Sequence, residues 1–333
     1  MLNLKERIAL LAKLGSYMAA NETGWQQAKL NAERENGWFT QAFISLSAKA
    51  IINQFLQPAV LEKLAQDYQL PAINNSPKKV GVVMAGNIPM VGFHDFLCVF
   101  LSGHLLYIKA SSKDNVLLKH LVAEMALWEP RITDTIFFAD MLKGCDAYIA
   151  TGSNNTARYF EYYFSKYPHI IRRNRTSVAL LTGNETTADL EKLADDVHIY
   201  FGLGCRNVTQ IMVPQGYDFV PMLDAFKNYL YFADHNKFKN NYDYQLALLI
   251  LNKKYYMTNG AILLAESESL FSPIAQLHYS YYTDAAAAAE TLLQNPDLQC
   301  LVGQQFTALG AAQTPSVTDY ADGVDTLAFL KSL

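Results

Sequence analysis

The sequence is poor in charge and in cysteine. Only 17 % of its 333 residues are Asp, Glu, Lys or Arg, against roughly 25 % in an average soluble protein. The formal net charge is −4, and without a basic stripe the chain offers no support for a nucleic-acid partner. The four cysteines, Cys98, Cys145, Cys205 and Cys300, include no CxxC pair. That removes zinc-ribbon and dithiol motifs, and four are too few for a disulfide scaffold. A reducing compartment, the cytoplasm, is therefore expected. The seven histidines fall at no ligand spacing, so no metal site is expected. GxGxxG and the Walker loop are both missing, which takes away the usual phosphate-binding fingerprints. A membrane span needs about 20 predominantly apolar residues, and the most apolar stretch, 88–108, is interrupted by His94, Asp95 and His104. The N-terminus carries no signal-peptide core. What is present is hydrophobicity: 51 % of the residues are apolar. Disorder is excluded on that ground, and the length suits about two domains.

Patterning along the chain separates two textures. Leu4, Ile8, Leu11 and Leu14 lie close to one helical face, and Val60, Leu61 and Leu64 repeat the pattern after Pro58, which suits a first helical turn. Residues 1–70 therefore read as helices. A linker follows at Pro71, and then short Val- and Ile-rich runs alternate with helical periods. Strands are expected at 79–85, 105–109, 135–139, 147–150, 177–181, 208–213, 261–265, 276–282 and 298–302. Helices are expected at 88–103, 115–127, 155–166, 187–201, 215–232, 242–252 and 283–293. Such alternation predicts α/β architecture with parallel sheets. The tail from Gly303 ends in a short periodic segment.

Three turns stand where ligands sit in open α/β sheets, at a strand end before a helix start. They are MAGNIP after the 79–85 strand, IKASSKD after 105–109 and ATGSNNT after 147–150. Helix starts offer free N–H groups to phosphate, and Asn, Ser and Gly there are also ordinary caps. Lys109 ends an apolar strand and must reach solvent or an anion. Cys205 lies in FGLGCRNV, on a tight bend beside Arg206. A cation there would favour the reactive thiolate; a small buried hydrophobe is the other reading. Arg172, Arg173 and Arg175 form a basic group that suits either phosphates or a solvated strand edge. The aromatic run 159–167 reads as core plus surface. His94 and Asp95 could serve as proton donors, but adjacent helical residues point about 100° apart.

Taken in order, GNIP (86–89), KAS (109–111), TGS (151–153), GLGC (202–205) and LFSP (270–273) resemble the motif series of the aldehyde dehydrogenase superfamily. The resemblance runs from about 79 to 302. It implies two doubly wound, three-layer α/β domains with a helical N-terminal segment. These would be helices at 1–70, a nucleotide-binding domain of 71–175 plus 303–333, and a catalytic cysteine domain of 176–302. Cys205 would be the nucleophile, and Asn87 would donate to the oxyanion. Lys109 and Ser111 would hold the adenosine ribose with Ala85 beside them. Ser153, in the Thr151–Gly152–Ser153 turn, would meet the pyrophosphate, and Phe271 would pack on the nicotinamide side.

The departures narrow the resemblance. Hydrolytic members place a Glu at a position that falls near Ile171 here, and no carboxylate occurs from 168 to 184. Without that base, water attack on an acyl-enzyme is slow. The chain therefore looks most like the acyl-CoA reductase branch, of the bacterial-luminescence fatty-acid reductase type. Its expected reaction is reduction of a coenzyme A thioester to an aldehyde. Where NAD-preferring members carry a Glu, Ser112 stands here, followed by Lys113. This favours NADP(H), with NAD(H) as the alternative. Ser269 replaces an acidic residue, and Glu268 is displaced by one. Two further readings stay open: an acyl phosphate as substrate, or a non-catalytic binding protein of the same fold. The expected partner is the acyl-CoA substrate, with a homodimer as one option.

Overall fold

The apolar runs become parallel strands, and their burial explains the composition. Parallel sheets are covered on both faces, so their strands read as continuous hydrophobic runs rather than alternating ones. The computed structural model describes residues 2–333, and the chain divides into two compact units. The first comprises Met1–Asn174 and Pro315–Leu333, the second Arg175–Thr314.

In the first unit, four helices precede the sheet: α1 (Leu4–Ala20), α2 (Thr23–Glu35), α3 (Gln41–Gln54) and α4 (Pro58–Asp67). Asn3 and Glu6 close a capping box on α1, which satisfies two N–H groups that a helix start leaves without partners. Then follow β1 (Lys79–Val83), α5 (Phe93–Ser102), β2 (Leu105–Lys109), α6 (Val116–Trp128), β3 (Ile136–Phe138), β4 (Ala147–Thr151), α7 (Asn154–Phe164) and β5 (His169–Arg172). The sheet order is β3-β2-β1-β4-β5, and every pairing is parallel. The order reverses between β1 and β4, the switch point at which open sheets bind ligands. The N-terminal helices share one core with the sheet. Arg7 on α1 ties the layers together: Nε donates to the Leu101 carbonyl at 3.1 Å and Nη1 to the Leu2 carbonyl at 2.6 Å. A cation at the C-terminal end of α5 also complements the dipole of that helix.

The second unit contains β6 (Thr176–Leu180), α8 (Thr187–His198), β7 (Val208–Pro214), α9 (Val220–Ala225), α10 (Asn236–Leu251), β8 (Met257–Thr258), β9 (Leu263–Glu266), β10 (Gln276–Tyr282), α11 (Ala285–Leu293) and β11 (Leu298–Val302). Its sheet runs β11-β6-β7-β10-β9-β8, parallel except for β8 against β9. The chain closes on α12 (Thr326–Lys331), which belongs to the first unit. The expected architecture, two doubly wound α/β units with N-terminal helices, is the one observed.

Several expected elements shift. The helix placed at 88–103 begins only at Phe93, because Met90 takes a left-handed φ of 56° and residues 84–92 form a loop. Residues 215–219 are a turn and loop, and α9 passes directly into a 3₁₀ segment, Phe226–Asp234. Strands β5 and β8 lie at sheet edges and carry too little apolar pattern to be read. Residues 303–314, grouped by the sequence reading with the nucleotide domain, pack in the second unit. Asp196 on α8 holds them there, accepting from the Gly310 N–H at 2.6 Å and the Ala312 N–H at 3.0 Å. Among the described residues, no helix is long and apolar enough to cross a membrane.

Candidate functional site

In the first unit, three turns leave the same end of the sheet. β1 pairs in register with β2 on one side and β4 on the other, Val83 opposite Lys109 and Ala150. Ala85, Asn87, Lys109, Ser111, Ser112, Thr151, Gly152 and Ser153 are thereby gathered at the switch point. The first two turns touch. The Met84 N–H donates to the Lys109 carbonyl at 3.0 Å. A Cβ on Gly86 would stand 2.6 Å from both Cβ and Oγ of Ser111, so glycine is what lets this loop pack against the Ser111 side chain. Asn87 is exposed on that loop, and Lys109 and Ser112 are exposed beside it.

The serines have structural work as well. Ser111 Oγ accepts from the Lys113 N–H at 3.2 Å within its own turn. Ser153 caps α7, its Oγ accepting from the Thr156 N–H at 3.3 Å. Both reproduce the capping behaviour of such residues.

The N-terminal helices brace these turns, a role that sequence patterning did not reveal. Ser47 on α3 donates to the Pro89 carbonyl at 2.7 Å, and Asn36 after α2 donates to the Lys113 carbonyl at 3.1 Å. Asp114 closes the arrangement. Its Oδ2 accepts from the N–H of left-handed Met90 at 2.6 Å, while Oδ1 is buried without a partner. Burial pushes this carboxyl up to about 7, against the Met90 bond that favours the charged form. The folded chain therefore holds the Asp114 proton more tightly than the unfolded chain does. The associated stability is complete below the unfolded value of 3.8 and is lost as pH rises through about 7,. Asp114→Asn keeps an oxygen for Met90 and removes the titration. Urea unfolding near pH 5 and near pH 8 should show the variant gaining roughly 2 kcal/mol on the wild type at the higher pH. An unchanged gap would mean that the carboxyl does not titrate in a buried site.

In the second unit, Cys205 occupies the corner of a turn immediately before β7. The Asn207 N–H donates to the Gly204 carbonyl at 3.1 Å, and the Gly204 N–H donates to Asn207 Oδ1 at 2.8 Å. Asn207 is fully buried. Its Nδ2 spans the carbonyls of Asp196, Val197 and Ile199 at 3.0, 3.3 and 2.8 Å, so one side chain clamps the end of α8 and the cysteine turn together. Between them Tyr200, Phe201 and Gly202 have φ of 57°, 56° and 72°. Left-handed backbone costs a residue with a Cβ roughly 1–2 kcal/mol, and such strain persists only where the surroundings impose it. Here burial of both aromatic rings and the Asn207 clamp impose it. Asn207 was legible in principle, since Asn commonly bonds backbone around its own turn.

The Phe271 loop reaches the same end of this sheet. Thr209 Oγ1 donates to the Leu270 carbonyl at 2.5 Å, Gln210 Nε2 to the Ser267 carbonyl at 3.0 Å, and His278 Nδ1 pairs with the Ser269 carbonyl at 2.8 Å. Cys205 and Phe271 are both half-buried.

The Arg206 cation acts on the Cys300 thiol and favours its thiolate. The solvated-edge reading of the basic group needs correction at Arg172. Arg172 is no solvated edge residue: it is buried, with Nη1 on Asp95 Oδ2 at 2.5 Å and Nη2 on Thr326 Oγ1 at 2.8 Å. Arg173 pairs with Glu161, and Arg175 donates to the Leu298 carbonyl at 3.0 Å. The basic triplet is therefore engaged rather than waiting for phosphates. As the 100° between adjacent helical residues implies, His94 and Asp95 face different ways: His94 Nε2 meets the Val317 carbonyl at 2.8 Å and Asp95 faces Arg172. Among the described residues, no group of three or more His, Cys, Asp or Glu is placed to hold a metal ion.

No family model matches the sequence, and comparison with curated proteins returns no match. Solved structures do resemble it. Aldehyde dehydrogenase 21 of Physcomitrella patens, determined with succinate, is 11 % identical with a TM-score of 0.65 over 91 % of this chain and 74 % of its own. An NAD-dependent aldehyde dehydrogenase of Sinorhizobium meliloti is 11 % identical, TM-score 0.64, over 90 % and 70 %. The aldehyde dehydrogenase KauB of Pseudomonas aeruginosa is 11 % identical, TM-score 0.62, over 95 % and 75 %. At such identities the likeness speaks for architecture: this chain has the aldehyde dehydrogenase fold.

Proposed function

We propose that the chain is a nicotinamide-dependent oxidoreductase of the aldehyde level, and that it reduces an acyl-CoA thioester to the aldehyde with NADPH. Fold alone does not set chemistry. The observation that carries the reading is Cys205, half-buried at the corner of a turn that Asn207 clamps and a left-handed segment precedes.

The turn cluster of the first unit suits a dinucleotide. Lys109 ends β2 exposed, and the neighbouring edge offers Ser112 and Lys113, both exposed. The carboxylate of this turn, Asp114, bonds inward to Met90. A 2′-phosphate would thus meet a hydroxyl and an ammonium, and we assign NADP(H) on that basis. Ala85 and the Thr151–Gly152–Ser153 turn complete the proposed cofactor residues of this unit.

The Cys205 sulfur attacks the thioester carbonyl, the coenzyme A thiol leaves with the proton that Cys205 gives up, and the acyl group stays on sulfur. The Cys205 backbone N–H would donate to the oxygen that becomes anionic; one such donor is typically worth a few kcal/mol. A bound nicotinamide would supply a hydride to the acyl carbon; the carbon–sulfur bond then breaks, releasing the aldehyde and returning Cys205 as the thiolate. No carboxylate lies between 168 and 184, so this segment offers no base to activate water against the acyl-sulfur bond.

Loss of NADPH absorbance with acyl-CoA esters of rising chain length tests the reading. Turnover that needs an ester and releases one coenzyme A per NADPH is expected, and the best chain length would name the substrate. NADPH binding without turnover on any ester would overturn it. Phosphate release from an acyl phosphate would move the substrate class.

A further inference from the structure

Cys300 is a thiol that the proposed reaction leaves unused, and it lies against the Cys205 turn. It sits on β11, and β11 and β7 are the two strands flanking β6. The β11–β6 register breaks between Leu298 and Leu301, which takes Cys300 off the ladder beside Ser177. Ser177 Oγ is 3.0 Å from Cys300 Sγ and donates to the Cys205 carbonyl at 3.1 Å. The cation of Arg206, the other corner residue of the turn, favours the Cys300 thiolate. One hydroxyl oxygen thus separates the Cys300 sulfur from the Cys205 backbone. Both cysteines are half-buried, whereas Cys98 and Cys145 are buried.

We propose that Cys205 and Cys300 form a reversible disulfide under hydroperoxide, which withdraws Cys205 from use and protects it from over-oxidation. A disulfide needs Cα atoms within about 7 Å of each other; Ser177 Oγ, 3.1 Å from the Cys205 carbonyl and 3.0 Å from Cys300 Sγ, joins the two residues through a single side chain. A residue at a turn corner can also swing its side chain without breaking a ladder. In the first step the Cys205 thiolate attacks the peroxide O–O bond. A sulfur–oxygen bond forms, hydroxide or alkoxide leaves, the peroxide is reduced, and the sulfur becomes sulfenic acid. In the second step the Cys300 thiolate attacks that sulfur. The disulfide forms, and hydroxide leaves and takes up the proton that Cys300 released, so two thiols and one hydrogen peroxide give a disulfide and two waters. The Arg206 cation supports the Cys300 thiolate. Burial opposes it by pushing that thiol up, so closure should speed up as the solution is made alkaline. Without Cys300, the sulfenic acid would advance to sulfinic and sulfonic acids, which thiols do not reverse.

The pair needs no acyl-CoA chemistry, so its test needs no turnover. The reduced protein is exposed to a few equivalents of hydrogen peroxide and read by intact mass and peptide mapping. The expected result is a loss of about 2 Da, a peptide pair joined through Cys205 and Cys300, and full reversal by dithiothreitol. In Cys300→Ser, checked by circular dichroism for an unchanged fold, Cys205 should instead gain one to three oxygens. Oxygen adducts on Cys205 in the wild type with Cys300 still a free thiol would overturn the proposal. So would a wild type whose thiols all survive the peroxide. If Cys300→Ser does not fold, the wild-type peptide map decides alone.

Discussion

Cys205→Ala should reduce acyl-CoA-dependent NADPH oxidation by at least about a thousandfold and leave the fold intact. The size follows from the role proposed for the sulfur. A nucleophile that carries the acyl group cannot be replaced by binding alone, and losses of three to six orders of magnitude are usual when such a residue is removed. The intact fold follows from how the turn is held. The Asn207 side chain grips the Gly204 N–H, Ser177 grips the Cys205 carbonyl, and Asn207 anchors to the end of α8. These hydrogen bonds to the turn use its backbone, which alanine retains. Steady-state kinetics and urea unfolding on the same preparation separate the two quantities, and the midpoint should move by less than roughly 0.5 kcal/mol. A variant with more than a tenth of wild-type turnover would remove Cys205 from the mechanism. A variant that unfolds early would show that the side chain stabilises the turn.

Arg172→Met should destabilise the first unit by about 3–5 kcal/mol. Arg172 is 3 % exposed and Asp95 6 %, with 2.5 Å between Nη1 and Oδ2. Removing the guanidinium leaves a carboxylate in the core without a counter-charge, and that uncompensated charge, rather than the lost bond, sets the cost. Thr326 on α12 also loses its partner at 2.8 Å, so the pair pins β5, α5 and the C-terminal helix at one point. The double variant Arg172→Met with Asp95→Leu should recover most of the loss, because replacing both members of a buried pair is often neutral. Chemical denaturation of the three proteins measures this. A double variant no better than Arg172→Met would mean that the Thr326 contact and local packing carry the energy instead of the charge.

Arg172 also marks a limit of reading from sequence. In PHIIRRNRTS it stands in a basic cluster, where local pattern favours a solvated strand edge. Its neighbour Arg173 is exposed and pairs at the surface. The difference is set by Asp95, which lies far away along the chain, and no local rule could predict that two isolated charges meet inside a core. The strands of the sheet centres were different. The runs at 105–109 and 276–282 appear in the structure at the same bounds, because their hydrophobicity matches burial between neighbouring strands. The edges β5 and β8 carry no such run, and they were missed.

The sequence by itself determined the α/β class, the N-terminal helices and the turns at the ends of β1, β2 and β4, since these depend on local periodicity and on Gly, Asn and Ser in chain order. It also marked Cys205 as a residue on a tight bend. Only the tertiary structure decided how that bend is made, with three left-handed residues in a row held by one buried asparagine. Tertiary structure likewise decided that Ser177 joins Cys300 to the Cys205 turn, and that Ser47, Asn36 and Asp114 brace the loop of Asn87. These are contacts between segments distant in sequence. They arise when strands and helices pack, and neither propensity nor spacing encodes which distant side chain will arrive.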